Sequence, residues 1–322
     1  MICSKLRSLI EEAVKKNLAD GLLLSGGLDT SVIATIASRF TQLKAFTVGF
    51  KRSQAPDIKY ATMIAKRLGI KHFVHVFDEE ELYVAVPEVV RIMRSFDPVG
   101  TRSSISIYIV LSDAKREGLE EVMTGDGGDE CFVGYDHLLN LEGEELEFEL
   151  NDLLGVNEFA SNRLGKALGI TIKQPFLDPE VKAFARSLAT EYKIRSHRGE
   201  KWGKWIVRKA FEDVLPKEIA WRRSALIETG SGTISLTDFF DKKISDEEFT
   251  EKKNRFLQQD KVTIRSKEHL YYYEAYRSVI GVPHPTEPIG KTCPECNSNM
   301  AENARFCRTC GAPATKNFQE SL

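Results

Sequence analysis

Apolar residues in the first 125 positions alternate between two spacings. Leu6, Ile10 and Val14 recur at about one helical turn, which predicts a helix over residues 3–18. An unbroken apolar run at residues 21–24 is typical of a strand buried on both faces. The same reasoning predicts helices at 32–37, 57–68, 78–94 and 103–117, and strands at 43–50, 72–76 and 121–124. This alternation predicts an α/β fold with a doubly wound parallel sheet covered on both faces.

The pattern changes after about residue 137. Helical spacing at 178–188, 201–213 and 266–280 predicts a mostly helical half, because strand patterns fade there. Residues 281–290 contain three prolines and two glycines, which indicates a linker. The predicted units are an α/β core (1–136), a helical half completing the same domain (137–282), a linker (283–291), a cysteine-rich ribbon (292–313) and a flexible tail (314–322).

Composition narrows the class of protein. The chain has 322 residues, with 42% hydrophobic and 29% charged residues, which excludes wholesale disorder. A net charge of -2 excludes a global polycation, although a local basic patch remains open. The longest candidate span, residues 103–112, is too short to cross a bilayer, and residues 1–17 lack an apolar signal core. We therefore expect a cytoplasmic protein with no membrane partner.

Four of the six cysteines form two CxxC pairs near the end of the chain. The predicted metal ligands are Cys293, Cys296, Cys307 and Cys310. Two CxxC pairs in a charged chain that we expect to be intracellular indicate a metal site rather than disulfides. Four thiolates predict a closed tetrahedral Zn²⁺ site. An iron–sulfur cluster is the lesser alternative. The segment resembles a zinc ribbon, and ribbons bind RNA, other proteins or their own neighbouring domain, which leaves these three partners open.

A glycine-containing loop lies between the first predicted strand and the next helix. Glycine lets the backbone approach phosphate oxygens, and N–H groups at a helix start attract anions. The loop therefore predicts a binding site for ATP and pyrophosphate at Ser25, Gly26, Gly27, Leu28, Asp29, Thr30 and Ser31. Bare phosphate would repel Asp29, so this residue predicts a bridging Mg²⁺. A tight strand–helix turn with a Ser/Thr cap is the structural alternative.

A second loop follows the strand at 121–124. It carries Asp126, Asp129 and Glu130 among three glycines. Ligand sites in open α/β sheets lie at the carboxyl ends of strands, and clustered carboxylates need a cation. We therefore expect Asp129 to share Mg²⁺ with Asp29, with an acidic turn as the alternative.

Basic residues gather in one later segment. Residues 192–223 contain ten Lys/Arg and four Asp/Glu, which suits neutralisation of a pyrophosphate leaving group. On the predicted helix 201–213, Lys201 and Lys204 share a face. Arg102 follows a predicted turn, where a buried guanidinium would suit a substrate carboxylate and a surface salt bridge is the alternative.

These motifs resemble a known family. Residues 25–31 resemble the pyrophosphate loop of ATP pyrophosphatases. Residues 124–135 (TGDGGDECFVGY) and 175–178 (PFLD) resemble segments of asparagine synthetases and β-lactam synthetases, and the likeness extends over about residues 1–282. The resemblance implies an adenine nucleotide alpha hydrolase-like fold.

The resemblance also implies an activity. A substrate carboxylate is adenylated by ATP, pyrophosphate leaves, and the acyl group passes to ammonia or another amine. By similarity, Lys204 stabilises the transition state at the α-phosphate, Asp126 stands where the family handles incoming ammonia, and Arg102 lies near the substrate. The predicted ATP and pyrophosphate site further includes Val48, Thr124, Gly125 and Lys201.

The sequence departs from the family around the substrate. The family has Glu at the position of Asp126, Lys at that of Ser224, and Glu and Arg at those of Thr171 and Lys173. Because the phosphate loop begins at Ser25, we expect no glutaminase domain in this chain. Nitrogen would then come as free ammonia or from a glutaminase subunit or carrier. ATP cleavage is therefore a firmer prediction than aspartate as substrate.

Two other functions are compatible with the sequence. One is an adenylating tRNA-modification enzyme whose ribbon holds RNA, with Cys131 weakly favouring sulfur chemistry. The other is a nucleotide-binding regulator without turnover. Retention of Asp29, Asp129 and Lys204 together argues against the regulator.

Overall fold

The computed structural model describes residues 1–156, 158–197, 199–286 and 291–314. The strands are β1 (Gly21–Leu23), β2 (Lys44–Phe50), β3 (Lys71–Phe77), β4 (Glu121–Met123), β5 (Thr171–Lys173), β6 (Arg195–His197), β7 (Glu200–Trp202), β8 (Lys291–Thr292) and β9 (Asn299–Met300). The helices are α1 (Ile2–Lys16), α2 (Leu28–Ala37), α3 (Pro56–Leu68), α4 (Glu79–Met93), α5 (Pro98–Arg116), α6 (Gly128–Phe132), α7 (Gly143–Gly155), α8 (Ala160–Leu168), α9 (Pro179–Ser187), α10 (Thr190–Lys193), α11 (Trp205–Phe211), α12 (Lys217–Ala220), α13 (Ile227–Gly230), α14 (Leu236–Lys243), α15 (Asp246–Asp260) and α16 (Lys267–Val279). Residues 287–290 of the predicted linker and residues 315–322 of the predicted tail lie outside the described residues.

Five parallel strands form the central sheet in the order β3-β2-β1-β4-β5. Right-handed crossovers place α2 and α3 on one face, and the return from β3 to β4 places α4 and α5 on the other. The predicted doubly wound α/β fold is therefore confirmed. The strand order reverses between β1 and β4, and ligands of such sheets bind in the crevice at that point.

The half predicted to be mostly helical contributes one strand to this sheet. β5 pairs with β4, and Thr124 N donates a hydrogen bond to Lys173 O (2.9 Å). Three residues are too short to leave a recognisable strand pattern in the sequence.

One predicted helix begins later than its spacing indicates. Residues 200–202 form β7 of a hairpin with β6, and α11 starts at Trp205. Lys204 is the residue that precedes α11, and Lys201 lies on the hairpin. The prediction that Lys201 and Lys204 share a helical face is therefore wrong.

The core consists of two large buried apolar clusters. One joins α1 and α2 to the strands and to α9 and α11; Leu6, Ile10 and Val14 belong to it, as the helical spacing of α1 predicts. The other joins α4, α5 and α16 to the four cysteines near the end of the chain. No helix in the described ranges has both the length and the apolar character that crossing a bilayer requires.

Candidate active site

The loop between β1 and α2 forms one wall of the main pocket. Gly26 has a φ of 67°, and a Cβ there would lie 2.2 Å from Ala61 N, so a larger residue would push the loop away from α3. Ser25 Oγ accepts a hydrogen bond from Gly27 N (3.2 Å) and lies 3.1 Å from Thr30 Oγ1. The loop is thereby fixed at the start of α2, where free backbone N–H groups can bind an anion.

The loop after β4 lies against the first loop because β1 and β4 are neighbours. A Cβ on Gly128 would lie 2.5 Å from the Asp29 carboxyl carbon, so the approach depends on glycine there. The acidic residues of the two loops therefore share one cleft.

Lys204 joins the acidic side chains of these two loops. Its Nζ lies 2.5 Å from Asp29 Oδ2 and 2.7 Å from Asp129 Oδ1. The residue is 2% exposed. Burial favours the neutral amine, but the charges of Asp129 and Asp29 together outweigh burial and raise the pKa of Lys204. The lysine is therefore held as a cation between two carboxylates.

The backbone fixes Lys204 in this position. Its φ of 53° is in the left-handed region, which costs about 1–2 kcal/mol for a residue with a side chain. Its N–H donates to Phe132 O (2.9 Å), which ties it to the second loop. The ammonium group thus reaches the cleft from the start of α11.

Asp29 and Asp129 are suited to hold a divalent cation. Asp29 Oδ1 is buried and has no hydrogen-bond partner among the described residues. Carboxylate oxygens are the ligands that Mg²⁺ prefers, and Mg²⁺ usually takes one or two of them beside substrate phosphates.

Asp126 is held by three donors. Its Oδ2 accepts hydrogen bonds from Thr124 Oγ1 (2.6 Å), Ser161 Oγ (2.5 Å) and Gln174 Nε2 (3.0 Å). Sequence reasoning missed Ser161 and Gln174. They lie on α8 and after β5, and no local motif marks them.

Arg222 is a further residue that sequence reasoning did not assign to the site. Its Nη2 lies 2.6 Å from Asp57 Oδ1, and its Nη1 donates to Ser25 O (3.1 Å). Its guanidinium lies 4.2 Å from the centre of the Tyr60 ring. Burial raises the pKa of Asp57, and Arg222 opposes that rise. Arg222 thus ties the phosphate loop to α3. The sequence signal for it was its place in the basic segment 192–223, which did not single it out from the other nine Lys/Arg.

One pocket of about 640 Å³ collects most of the predicted site residues. Its walls include Ser25, Gly27, Leu28, Asp29, Thr30, Val48, Thr124, Gly125, Asp126, Asp129 and Lys204. Gly26 and Ser31 lie behind this wall and support the loop.

Besides Gly26 and Ser31, two further predicted residues of this site, Lys201 and Arg102, do not line the pocket. Lys201 is exposed, and its Nζ lies 3.5 Å from Glu142 Oε1. The Arg102 side chain is mostly buried behind the wall, with its Nε 3.5 Å from Glu268 Oε1. Roles for these two residues in catalysis or ATP binding stay predictions.

Cys131 lies in the second loop without the character of a nucleophile. Its side chain is buried, and its Sγ lies 3.5 Å from Phe176 O. Burial raises the pKa of the Cys131 thiol to about 12, so the thiolate is scarce at neutral pH.

The four late cysteines converge on one point. Their Sγ atoms lie within 4.8 Å of one another and all four residues are buried. Two of the separations are 3.6 Å, between Cys293 and Cys310, and 3.7 Å, between Cys296 and Cys307. A tetrahedral ion with Zn–S bonds of about 2.3 Å needs sulfur atoms about 3.8 Å apart. The cluster therefore has the size of a Cys₄ metal site.

The segment 291–314, called here the cysteine module, packs on the rest of the chain. Phe96 N donates to Thr309 O (2.7 Å), and Ser95 Oγ donates to Arg308 O (2.8 Å). Arg265 Nη1 lies 2.5 Å from Glu295 Oε2 and its Nη2 donates to Cys310 O. Of the partners that the sequence left open, the described contacts are with its own neighbouring domain.

Two curated asparagine synthetases resemble this chain in sequence. Asparagine synthetase B (glutamine-hydrolyzing) of Escherichia coli K12 is 29% identical over 326 residues, covering 92% of this chain and 58% of that protein. The glutamine-hydrolyzing asparagine synthetase of Gallus gallus is 31% identical over 268 residues, covering 76% of this chain and 47% of its own length. The chain thus spans about half the length of these relatives.

A solved structure with a weaker likeness is the U34-tRNA thiolase NcsA from Methanococcus maripaludis. It has a TM-score of 0.33 and 12% identity, covering 92% of this chain and 84% of that one. The sequence comparison with family models is more specific, because the model for asparagine synthase matches residues 5–154 and 142–278. These matches include both glycine-containing loops, α11 and the segment around Arg222, and on this basis the chain belongs to the asparagine synthase family.

Proposed function

We propose that the protein is an ATP-dependent ligase that forms an amide from a carboxylate substrate and ammonia or another amine. The position of Lys204 between Asp29 and Asp129 is the observation that carries the proposal. A cation held at the junction of the two loops suits the charge that develops as a triphosphate is cleaved.

In the first step, a substrate carboxylate oxygen attacks the α-phosphorus of ATP. The bond from this phosphorus to the oxygen bridging to the β-phosphate breaks, and its electron pair leaves with pyrophosphate. Backbone N–H groups at the start of α2 would bind the departing phosphates, and Lys204 would neutralise the developing charge. Bound at Asp29 and Asp129, Mg²⁺ would supply further charge neutralisation and orient the phosphates.

In the second step, the amine nitrogen attacks the acyl carbon and AMP leaves. The nitrogen then loses a proton. Asp126 is the proposed acceptor, because its three donors all bind Oδ2 and fix the carboxyl group at the pocket wall. Free ammonia, or a separate glutaminase subunit or carrier, would supply the nitrogen.

The cysteine module would bind Zn²⁺ as a structural ion. Four thiolates complete a tetrahedral shell and leave no open position for catalysis. The module's backbone bonds to Ser95 and Phe96 favour a bracing role over capture of RNA, so the tRNA-modification alternative gains no observation in its favour.

The test is pyrophosphate release from ATP-Mg with a panel of carboxylic acids and ammonia. Replacing Lys204 by Ala should lower the rate by about 10²- to 10³-fold, the usual effect of removing one electrostatic stabiliser. Lys209→Ala is the matched control, because Lys209 is an exposed lysine of α11 outside the pocket wall, and it should keep the rate.

Since Lys204→Ala leaves two carboxylates facing each other, thermal unfolding and ATP binding should be measured beside the rate. Lys204→Arg, which keeps the charge, separates loss of folding from loss of chemistry. A folded Lys204→Ala protein with unchanged pyrophosphate release would refute the assignment of this lysine. If the protein binds ATP but none of the carboxylic acids stimulates pyrophosphate release, the nucleotide-binding regulator is favoured instead.

A further inference from the structure

A second part of the same pocket contains a carboxylate that the proposed chemistry does not use. Glu228, on the short helix α13, lines the pocket together with the phosphate loop. It is 5% exposed, so its charge is largely removed from water. Buried charges in proteins are normally paired, because burying one alone costs free energy.

Glu228 has no such pairing in the part of the chain that the structure describes. Its Oε2 accepts a hydrogen bond from Ser103 Oγ (2.7 Å), and no ion pair involves it. Ser103 is neutral, so this bond orients the carboxylate without neutralising it. Its other oxygen, Oε1, has no protein donor among the described residues and remains available to a ligand.

The basic side chains of the pocket wall are already committed elsewhere. Lys204 binds Asp29 and Asp129, Arg222 binds Asp57, and Arg223 Nη2 lies 2.7 Å from Glu200 Oε2. Among the described wall residues, seven are acidic and three are Lys or Arg: Asp29, Asp57, Asp126, Asp129, Glu130, Asp136 and Glu228 against Lys204, Arg222 and Arg223. A second carboxylate on the substrate would therefore meet an acidic wall without a spare cation.

We infer that the acyl substrate carries an ammonium group and that Glu228, oriented by Ser103, binds it. This inference rests on the proposed ligase function and adds the charge class of its substrate. The ammonium at Glu228 is a recognition group rather than the attacking nitrogen, because a protonated amine has no lone pair with which to attack the acyl carbon. It would supply the positive charge that the wall around Glu228 lacks, whereas a dicarboxylate without an ammonium, such as glutarate, would be disfavoured. Aspartate, which carries a second carboxylate beside its ammonium, would bring that second carboxylate to the same acidic wall.

Three acids of equal chain length separate the possibilities: 5-aminopentanoate, pentanoate and glutarate end in an ammonium, a methyl and a carboxylate. With full-length protein and ATP-Mg, we expect 5-aminopentanoate to stimulate pyrophosphate release with a kcat/KM about 10- to 100-fold above glutarate, the range of one charge-assisted hydrogen bond. L-Ornithine and L-aspartate extend the same comparison to α-amino acids. Binding is measured in parallel by calorimetry with an ATP analogue that cannot release pyrophosphate.

Glu228→Gln keeps an oxygen that can accept the Ser103 bond and removes the charge. It should reduce the preference for 5-aminopentanoate over glutarate by about 10- to 100-fold, mainly through KM. Glu218→Gln is the matched control, since it removes a charge from an exposed residue of α12 that does not line the pocket, and it should leave the preference unchanged.

The outcomes are distinguishable. If 5-aminopentanoate and L-ornithine both fail to bind, or if glutarate is preferred and Glu228→Gln changes nothing, the inference is wrong, and pyrophosphate release with another acid still supports the proposed ligase. If the ammonium acids bind through Glu228 and pyrophosphate is never released, the inference holds and the proposed function fails. If Glu228→Gln instead alters discrimination between ATP and ITP, Glu228 contacts the purine and the inference is again wrong.

Discussion

The molecule has two regions suited to a metal ion, and they are built in opposite ways. The active-site pocket offers two carboxylates, of Asp29 and Asp129, and a buried lysine already lies between them. The cysteine module offers four buried thiols around one point. An incomplete oxygen shell leaves positions for phosphates and water, while a complete sulfur shell leaves none. The first site is suited to exchanging ligands during turnover, and the second to keeping its ion.

The two regions also differ in how they attach to the fold. Pocket residues come from several loops and are held largely by side-chain contacts, such as the pair of Arg222 with Asp57 and the hydrogen bond from Gln174 to Asp126. The module is attached by backbone hydrogen bonds and by a shared apolar core with α4, α5 and α16. Substitutions in the pocket should therefore change activity first, and those in the module should change stability first.

The largest expected effect is removal of the module's ion. Cys296→Ser should lower zinc content and the temperature of unfolding, because metal binding supplies folding free energy on the order of 10 kcal/mol in small zinc modules. Metal analysis and calorimetry measure the change. Cys131→Ser, which alters a cysteine outside the cluster, is the control, and equal zinc content in both variants would contradict a Cys₄ site.

A smaller loss of stability is expected at acid pH. It comes from a buried histidine close to the cysteine module. His269 is buried and stacks on Phe96, and burial lowers the pKa of its imidazole to about 3. The unfolded chain, with a pKa of about 6.5, binds the proton first, so the stability contributed by neutral His269 is full above that value. It is lost as pH falls from about 6.5 towards about 3, by at most about 1.4 kcal/mol per pH unit.

Urea unfolding gives the free energy of unfolding of wild type and of His269→Gln at pH 7 and at pH 5. The difference between the two proteins at each pH isolates the contribution of His269, because carboxylates elsewhere titrate in both. The gap between the two proteins should shrink at pH 5. His284→Gln, at an exposed histidine, should show no such change. A gap that grows at pH 5 would show that His269 is protonated in the folded protein.

Breaking one contact between the cysteine module and the core should lower the free energy of unfolding by less than loss of the zinc ion does. Arg265→Ala removes the pair with Glu295 and the bond to Cys310 O, and a lost hydrogen bond to a charged group costs about 1.5–3 kcal/mol. Chemical unfolding at neutral pH measures the loss. Arg91→Ala, which removes an exposed pair with Glu88 on one helix, should change the free energy of unfolding little, because water screens that pair. Equal losses in the two variants would mean that the module is not braced through Arg265.

The smallest effect is expected at Cys131. Cys131→Ala should leave pyrophosphate release within about twofold of wild type, because a buried thiol with a raised pKa supplies little thiolate. Rates with the preferred acid and ATP-Mg measure this. A loss of activity in a folded Cys131→Ala protein would revive the sulfur-transfer alternative.

The sequence predicted the pocket's first wall better than its second. Residues 25–31 form a continuous segment between a strand and a helix, so local pattern and family resemblance point to the same loop. Ser161 and Gln174 bind Asp126 from α8 and from beyond β5, and neither has a local pattern that reveals the contact. The strand β5 brings Gln174 there, and it is three residues long.

Lys201 and Lys204 show, within one short segment, that local spacing does not reveal tertiary contacts. Their spacing fits one face of a helix, but β6 and β7 pair antiparallel there, with Lys201 on β7, and the chain enters α11 through a left-handed residue, Lys204. Tertiary hydrogen bonds, such as that from Lys204 N to Phe132 O, override the local preference. Arg102 lies beside Glu268, which is 166 positions away in the sequence, so no local pattern reveals this contact. Its proximity to a substrate carboxylate stays a prediction.

The attachment of the module has a consequence for synthesis on the ribosome. Ser95 and Arg308, which are hydrogen-bonded in the finished protein, are 213 residues apart in sequence. At about 5–20 residues per second, the corner that leads into α5 waits on the order of 10–40 s for its partner. During that interval Ser103, in the second turn of α5, would lack the support of the module. A nascent chain paused before Cys293 should therefore hold its pocket less rigidly than the released protein.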